Sequence, residues 1–102
     1  DAQLIPVDLM GTRGTVVKSQ KMSEAAFLAS DLPTPAKGMC YQIWKVAPDG
    51  TKSSAGLVVP DSSGHVAVLL DTSGTASSYV ITMEPPGGSK EPTGEMVGQA
   101  DV

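Results

Sequence analysis

The run Cys40-Tyr-Gln-Ile-Trp-Lys-Val46 limits what this chain can fold into more than any other stretch. It holds the only tryptophan, the only cysteine and one of the two tyrosines. Tyr41, Ile43, Trp44 and Val46 all favour pleated backbone. Alternation along a strand puts Gln42, Trp44 and Val46 on one face and Tyr41, Ile43 and Lys45 on the other. Apolar groups on both faces need cover on both sides, which predicts the central strand of a small β domain. Turn-forming sequences bound the run, Pro33-Thr-Pro-Ala-Lys-Gly38 before it and Pro48-Asp-Gly50 after it.

The rest of the chain repeats this punctuation. Residues 1–11 carry Pro6 and no clear period, and are expected to be an extended lead-in. Gly14-Thr-Val-Val-Lys-Ser19 is a β-prone run. Ser23-Glu-Ala-Ala-Phe-Leu-Ala29 could open a helix with Ser23 as its cap, but its shortness and the following Pro33 and Pro35 favour a strand and a loop. Ala55-Gly-Leu-Val-Val59 is a strand stopped by Pro60. Asp61-Ser-Ser-Gly64 and Asp71-Thr-Ser-Gly74 share a spacing that suits a type I turn with aspartate first and glycine last. Between them, His65-Val-Ala-Val-Leu-Leu70 aligns Val66, Val68 and Leu70. The last strong run, Ser77 to Glu84, sets Tyr79, Ile81 and Met83 against Val80, Thr82 and Glu84. Strands cut by turn signals, with no sustained helical period, predict an all-β fold: a small antiparallel β-sandwich, Ig-like in general architecture. Residues 12–102 are expected to form this single domain.

Composition narrows the function classes. At 102 residues with 40% hydrophobic side chains, the chain can bury one core. A net charge of −4 with scattered acids does not attract a nucleic-acid backbone. No apolar run reaches the ~18 residues of a membrane span. Asp1 in place of an initiating methionine is expected of a processed piece of a longer protein. One cysteine allows no internal disulfide, and the apolar neighbours of Cys40 favour a small buried hydrophobe over a reactive thiol.

Catalytic and metal patterns are not met. His65 is the only base available to a Ser–His–Asp triad, and no Gly-x-Ser-x-Gly turn accompanies it. A copper site of the Cys–His–Met kind needs a second histidine. The five methionines are dispersed as core fillers would be. The Asp–Gly turns lack the carboxylates of a calcium loop, and no phosphate-cradling Gly-Lys run occurs. No metal or cofactor is expected.

Residues 83–94, Met-Glu-Pro-Pro-Gly-Gly-Ser-Lys-Glu-Pro-Thr-Gly, differ from the other connections. Glu84 closes a strand, Pro85 and Pro86 stop pairing, and Gly87-Gly88 admit dihedrals closed to other residues. A carboxylate at Glu84 could accept hydrogen bonds from the amides of Gly88 and Ser89 and pin the loop to its own strand. A ligand-binding loop would also be glycine-rich, and the structural role is favoured.

Tyr41-Gln-Ile-Trp44, Ser54-Ala-Gly56 and Thr82-Met-Glu-Pro-Pro-Gly-Gly-Ser-Lys-Glu-Pro-Thr-Gly94 together resemble the extracytoplasmic domain of the anti-sigma-K factor family. The proline-containing loop of residues 32–38 is similar too, and the likeness runs from Gly11 to Val97. Its motif positions are Tyr41, Gln42, Trp44, Gly56, Glu84, Pro85, Gly87, Gly88, Ser89, Pro92, Thr93 and Gly94. Cys40 stands where the family commonly has a small or polar residue. The tail after Gly94 is less apolar than usual, leaving the final strand open.

The resemblance implies a bacterial, single-pass membrane protein. A cytoplasmic N-terminal domain, absent here, would hold the sigma factor. This C-terminal domain would lie on the extracytoplasmic face. It also implies a regulatory, non-enzymatic role: release of the sigma factor by successive proteolysis, with an envelope protease as partner and the lead-in as first cleavage site. A folded sandwich would gate that cut, because cleavage needs locally opened backbone. The alternative is a small-solute or protein-binding module using the Glu84 loop and the Trp44 face. A pocket of convergent polar groups beside Trp44 would favour it.

Overall fold

The computed structural model describes residues 2–9, 11–19, 21–22, 24–35, 37–72 and 76–101. Eight strands follow one another: β1 Ala2–Leu9, β2 Thr12–Ser19, β3 Glu24–Ala29, β4 Cys40–Val46, β5 Lys52–Val58, β6 Val66–Leu70, β7 Ser78–Glu84 and β8 Met96–Asp101. No helix occurs among the described residues. All pairings are antiparallel, in the order β5-β4-β7-β8-β1-β2-β3-β6.

The sheet folds into two layers at its middle. β1 and β8 share only the pairs Asp8↔Gln99 and Leu9↔Gly98, so the strands diverge beyond them. The layers are β5-β4-β7-β8 and β1-β2-β3-β6. At the far side the end strands approach, and the Asp71 N–H donates to the Ala55 carbonyl at 3.0 Å. Ala55 is free to accept because it is the extra residue of a bulge between the pairs Ile43↔Gly56 and Trp44↔Ser54. Lys45, nearly buried, crosses the same seam to Asp71 at 3.5 Å. The all-β antiparallel expectation holds, with the sandwich nearly closed into a barrel.

One apolar core fills the space between the layers. Ile5, Val7, Val16 and Phe27 from one inner face meet Tyr41, Ile43, Tyr79 and Ile81 from the other. The Tyr41 hydroxyl donates to the Pro33 carbonyl at 2.7 Å, tying the proline loop down. Burial raises its pKa.

The structure corrects the lead-in and bears on several other expectations in detail. Residues 2–9, read as a lead-in, are extended but belong to the sheet, with Ile5, Val7 and Leu9 buried. Pro6 masks their alternation; it stands where β8 does not pair with β1, so the strand is open on one side there. Glu24–Ala29 is a strand, with the helix cap at Ser23 outside the described residues. The tail forms β8 between β7 and β1, with Gly98 and Ala100 buried and Val97 packed against the core. In the first Asp–Gly turn, the Gly64 N–H donates to the Asp61 carbonyl at 2.9 Å. The second turn includes Ser73 and Gly74, outside the described residues.

The outer faces of the two layers are unlike. On β1-β2-β3-β6, the pairings align Leu4, Val17, Ala26 and Leu69 in one row and Pro6, Thr15, Leu28 and Ala67 in the next. Leu4 is 66% and Leu69 77% exposed. On β4 and β7, the outward pairs are Cys40↔Glu84, Gln42↔Thr82 and Trp44↔Val80, all buried. The connection between β7 and β8 lies over this second face.

Candidate functional site

The site is a loop, residues 85–95, strapped across the outer face of β4 and β7 by buried polar side chains. Strand alternation brings Trp44, Gln42, Thr82 and Glu84 to one face. Pro85 and Pro86 end β7 and force the chain to turn. The Gly88 N–H closes that turn on the Pro85 carbonyl at 2.9 Å, with Gly87 at φ +83°. Proline second and a positive-φ glycine third is the type II arrangement.

Two clamps hold the strap. The Gln42 carboxamide treats Ser89 as a neighbouring strand would: its Oε1 accepts from the Ser89 N–H at 2.9 Å and its Nε2 donates to the Ser89 carbonyl at 3.1 Å. Nε2 also donates to Ser54 Oγ on β5 at 2.8 Å. The second clamp is the Glu84 carboxylate, which has no exposed surface. Oε1 accepts from Ser89 Oγ at 2.9 Å and Thr93 Oγ1 at 2.6 Å. Oε2 accepts from Thr82 Oγ1 at 2.5 Å and the Gly94 N–H at 3.1 Å. The Thr93 N–H lies 3.1–3.2 Å from both oxygens.

Thr82 links the carboxylate to the tryptophan. Its hydroxyl accepts from Trp44 Nε1 at 2.8 Å while donating to Glu84, so each polar atom in the series has a partner. Burial by itself would raise the Glu84 pKa. The donors from Thr82, Thr93, Gly94 and Ser89 outweigh it and hold the carboxyl at about 2. Glu84 is therefore an anion whose solvation shell is the strap together with Thr82 of β7. Among the described residues no buried side-chain nitrogen or oxygen lacks a partner.

Close packing completes the fit. A Cβ on Gly94 would lie 1.6 Å from the Met83 carbonyl oxygen, and one on Gly88 2.7 Å from Leu57 Cδ2. Cys40, buried on the same face, donates its thiol to the Pro85 carbonyl at 3.4 Å. Glu91 and Pro92 reach toward Gly50, Thr51 and Lys52, leaving an open groove of about 460 Å³ between them.

Of the motif positions, Gln42, Trp44, Glu84, Pro85, Gly87, Gly88, Ser89, Pro92, Thr93 and Gly94 come together in or beneath the strap. Tyr41 faces the core, and Gly56 lies on β5 against Leu70. The donors to Glu84 differ from those expected: the Gly88 amide closes the turn and the Ser89 amide goes to Gln42. Thr82 was overlooked as a site residue, although its position two before Glu84 puts both on one strand face. His65 is exposed on a turn, with Asp61 Oδ1 3.9 Å away. No group of three or more metal-ligating side chains occurs among the described residues.

A family model described as the C-terminal part of anti-sigma-K factor matches residues 2–96. The chain is 46% identical over 87 residues to an uncharacterized protein of Streptomyces griseus, covering 85% of this chain and 36% of that one. It is 34% identical over 83 residues to anti-sigma-K factor RskA of Mycobacterium sp. strain KMS, covering 81% and 34%. With RskA of Mycobacterium ulcerans strain Agy99 the identity is 29% over 100 residues, covering 97% and 43%. The chain thus spans well under half the length of these relatives. No solved structure matches it.

Proposed function

This chain belongs to the anti-sigma-K factor family, as its C-terminal domain, and on that footing we propose that it is a regulatory, non-enzymatic ectodomain whose folded state restrains proteolysis of the whole anti-sigma factor. In this reading a membrane span precedes the domain, the domain faces the extracytoplasmic side, and a sigma factor is held by the part on the other side. An envelope protease makes the first cut.

The observation that carries the reading is the placement of β1. The family's description puts this domain C-terminal, so the preceding part joins it at β1. That strand is paired along its length with β2 and at its end with β8, and it buries Ile5, Val7 and Leu9. Proteases need several residues of extended, unpaired backbone. β1, the segment next to the junction, becomes such a substrate only when it leaves the sheet. In this reading the first cut awaits the release of β1, rather than falling in an exposed lead-in.

The solute-binding alternative finds little to use. Its expected polar groups beside Trp44 are spent on the strap, and Trp44 has no exposed surface. The test is Trp44→Ala in the full-length protein in cells. Faster loss of the full-length protein and higher sigma-dependent reporter output are expected without any stimulus. Losing ~4 kcal/mol raises the open population roughly a thousandfold. If the isolated domain is unfolded by the change while lifetime and reporter stay at wild-type level, gating is wrong.

A further inference from the structure

We propose that the bare outer face of β1-β2-β3-β6 is the contact surface of a two-fold symmetric dimer of this chain. Two full rows of this face, Leu4-Val17-Ala26-Leu69 and Pro6-Thr15-Leu28-Ala67, carry no charged side chain. Leu4 and Leu69 expose most of their surface. A contiguous aliphatic face on a soluble sheet marks an interaction site.

The occupant follows from the pattern of sizes. A two-fold axis between two such faces, perpendicular to the strands, lays β2 over β2 in reverse and sets each row over the other. Leu28 then falls over Ala26 of the second copy, Leu69 over Ala67, and Val17 over Thr15. A leucine thus meets an alanine on β3 and on β6, and the isosteric Val17 and Thr15 meet on β2. A depression of about 140 Å³ beside Val17, Ala26 and Leu69 is placed to take the incoming Leu28. The same operation brings Arg13, at one end of β2, over Ser19 of the second copy, beside its Glu24. That makes two opposite-charge pairs at the rim.

A lipid surface fits less well. The face is bracketed by Asp8 and Arg13 at one end and Glu24 at the other, it has no aromatic side chain, and the chain carries −4 overall. Strand spacing of about 4.8 Å and row spacing of about 7 Å give roughly 270 Å² per copy for the two rows and, with the rim residues of β1, β2 and β3 included, roughly 440 Å², or about 900 Å² in total. That lies below standard-size interfaces and fits a weak, transient dimer. The inference rests on this face alone, so it stands or falls apart from the gating of proteolysis.

Sedimentation equilibrium from about 1 μM to 1 mM is the test. The wild-type chain is expected to dimerise within that range. Leu69→Asp should be monomeric throughout, with the thermal unfolding of the wild type at concentrations where that is monomeric. Arg13→Glu and Glu24→Arg should each weaken association at least about tenfold, and the double variant should recover it. A wild-type monomer at 1 mM, or a dimer that survives Leu69→Asp, overturns the proposal. So does a monomer that binds phosphatidylethanolamine–phosphatidylglycerol vesicles through Leu69, which would make lipid the occupant.

Discussion

The two layers of this sandwich share one core and differ in how they treat their outer faces. β4 and β7 bury theirs under a loop, using a carboxylate, a carboxamide, a threonine and an indole. β1, β2, β3 and β6 leave theirs bare and aliphatic. Cover by a loop demands polar groups, because the loop's backbone N–H and C=O must be satisfied as it is buried. Glu84 and Gln42 supply those partners, so the strapped face is fixed to one arrangement. The aliphatic face makes no such demand and can take any surface of matching shape. A buried polar set thus encodes an internal partner, and a bare apolar one leaves room for an external one.

This contrast can be broken by substitution. Trp44→Ala should cost about 3–5 kcal/mol in urea unfolding, the scale of a large-to-small change at a fully buried site. A loss under about 1 kcal/mol would mean that the strapped face contributes no more than a surface.

Glu84 offers a pH test of the same face. Its pKa falls from 4.5 to about 2 on folding, a gap worth about 3 kcal/mol. Between those values the unfolded chain binds more protons, so stability rises with pH there. The contribution is complete above about pH 4.5 and lost as pH falls through 2. Unfolding measured from pH 2 to 6 should show this slope in the wild type and a flatter one in Glu84→Gln. Equal slopes would remove Glu84 from the clamp.

Glycines separate packing from backbone strain. Gly94→Ala should cost about 1–3 kcal/mol, because its Cβ meets the backbone of Met83. Gly87→Ala meets nothing within 4 Å and suffers only its positive φ, so about 1 kcal/mol is expected. Reversal of that order by calorimetry would show that the strap's return is looser than its first turn.

The smallest effect belongs to the bare face. Leu69→Ala, measured at concentrations where the chain is monomeric, should change stability by less than about 0.5 kcal/mol. A loss near that of Trp44→Ala would erase the distinction between the faces.

Much of this was legible in the residues. Alternation at Cys40–Val46 and Ser78–Glu84, with apolar groups on both faces, states strands covered on both sides, and the short proline- and glycine-bearing connections point to antiparallel pairing. Pro85 to Gly88 announce a turn through their own dihedral limits. β1 and β8 were harder, because Pro6 and Gly98 are poor strand residues whose cost is offset by their places in the sheet.

What the sequence determined by itself was therefore local: which segments extend, where they turn, and that Glu84 begins an unusual loop. Only tertiary structure decided that Ser89, Thr93 and Gly94 converge on one carboxylate, and that Leu4 and Leu69 lie in one row. Those groupings depend on register between strands far apart in the chain. Register is set by how the whole core packs and by nothing that any single segment contains.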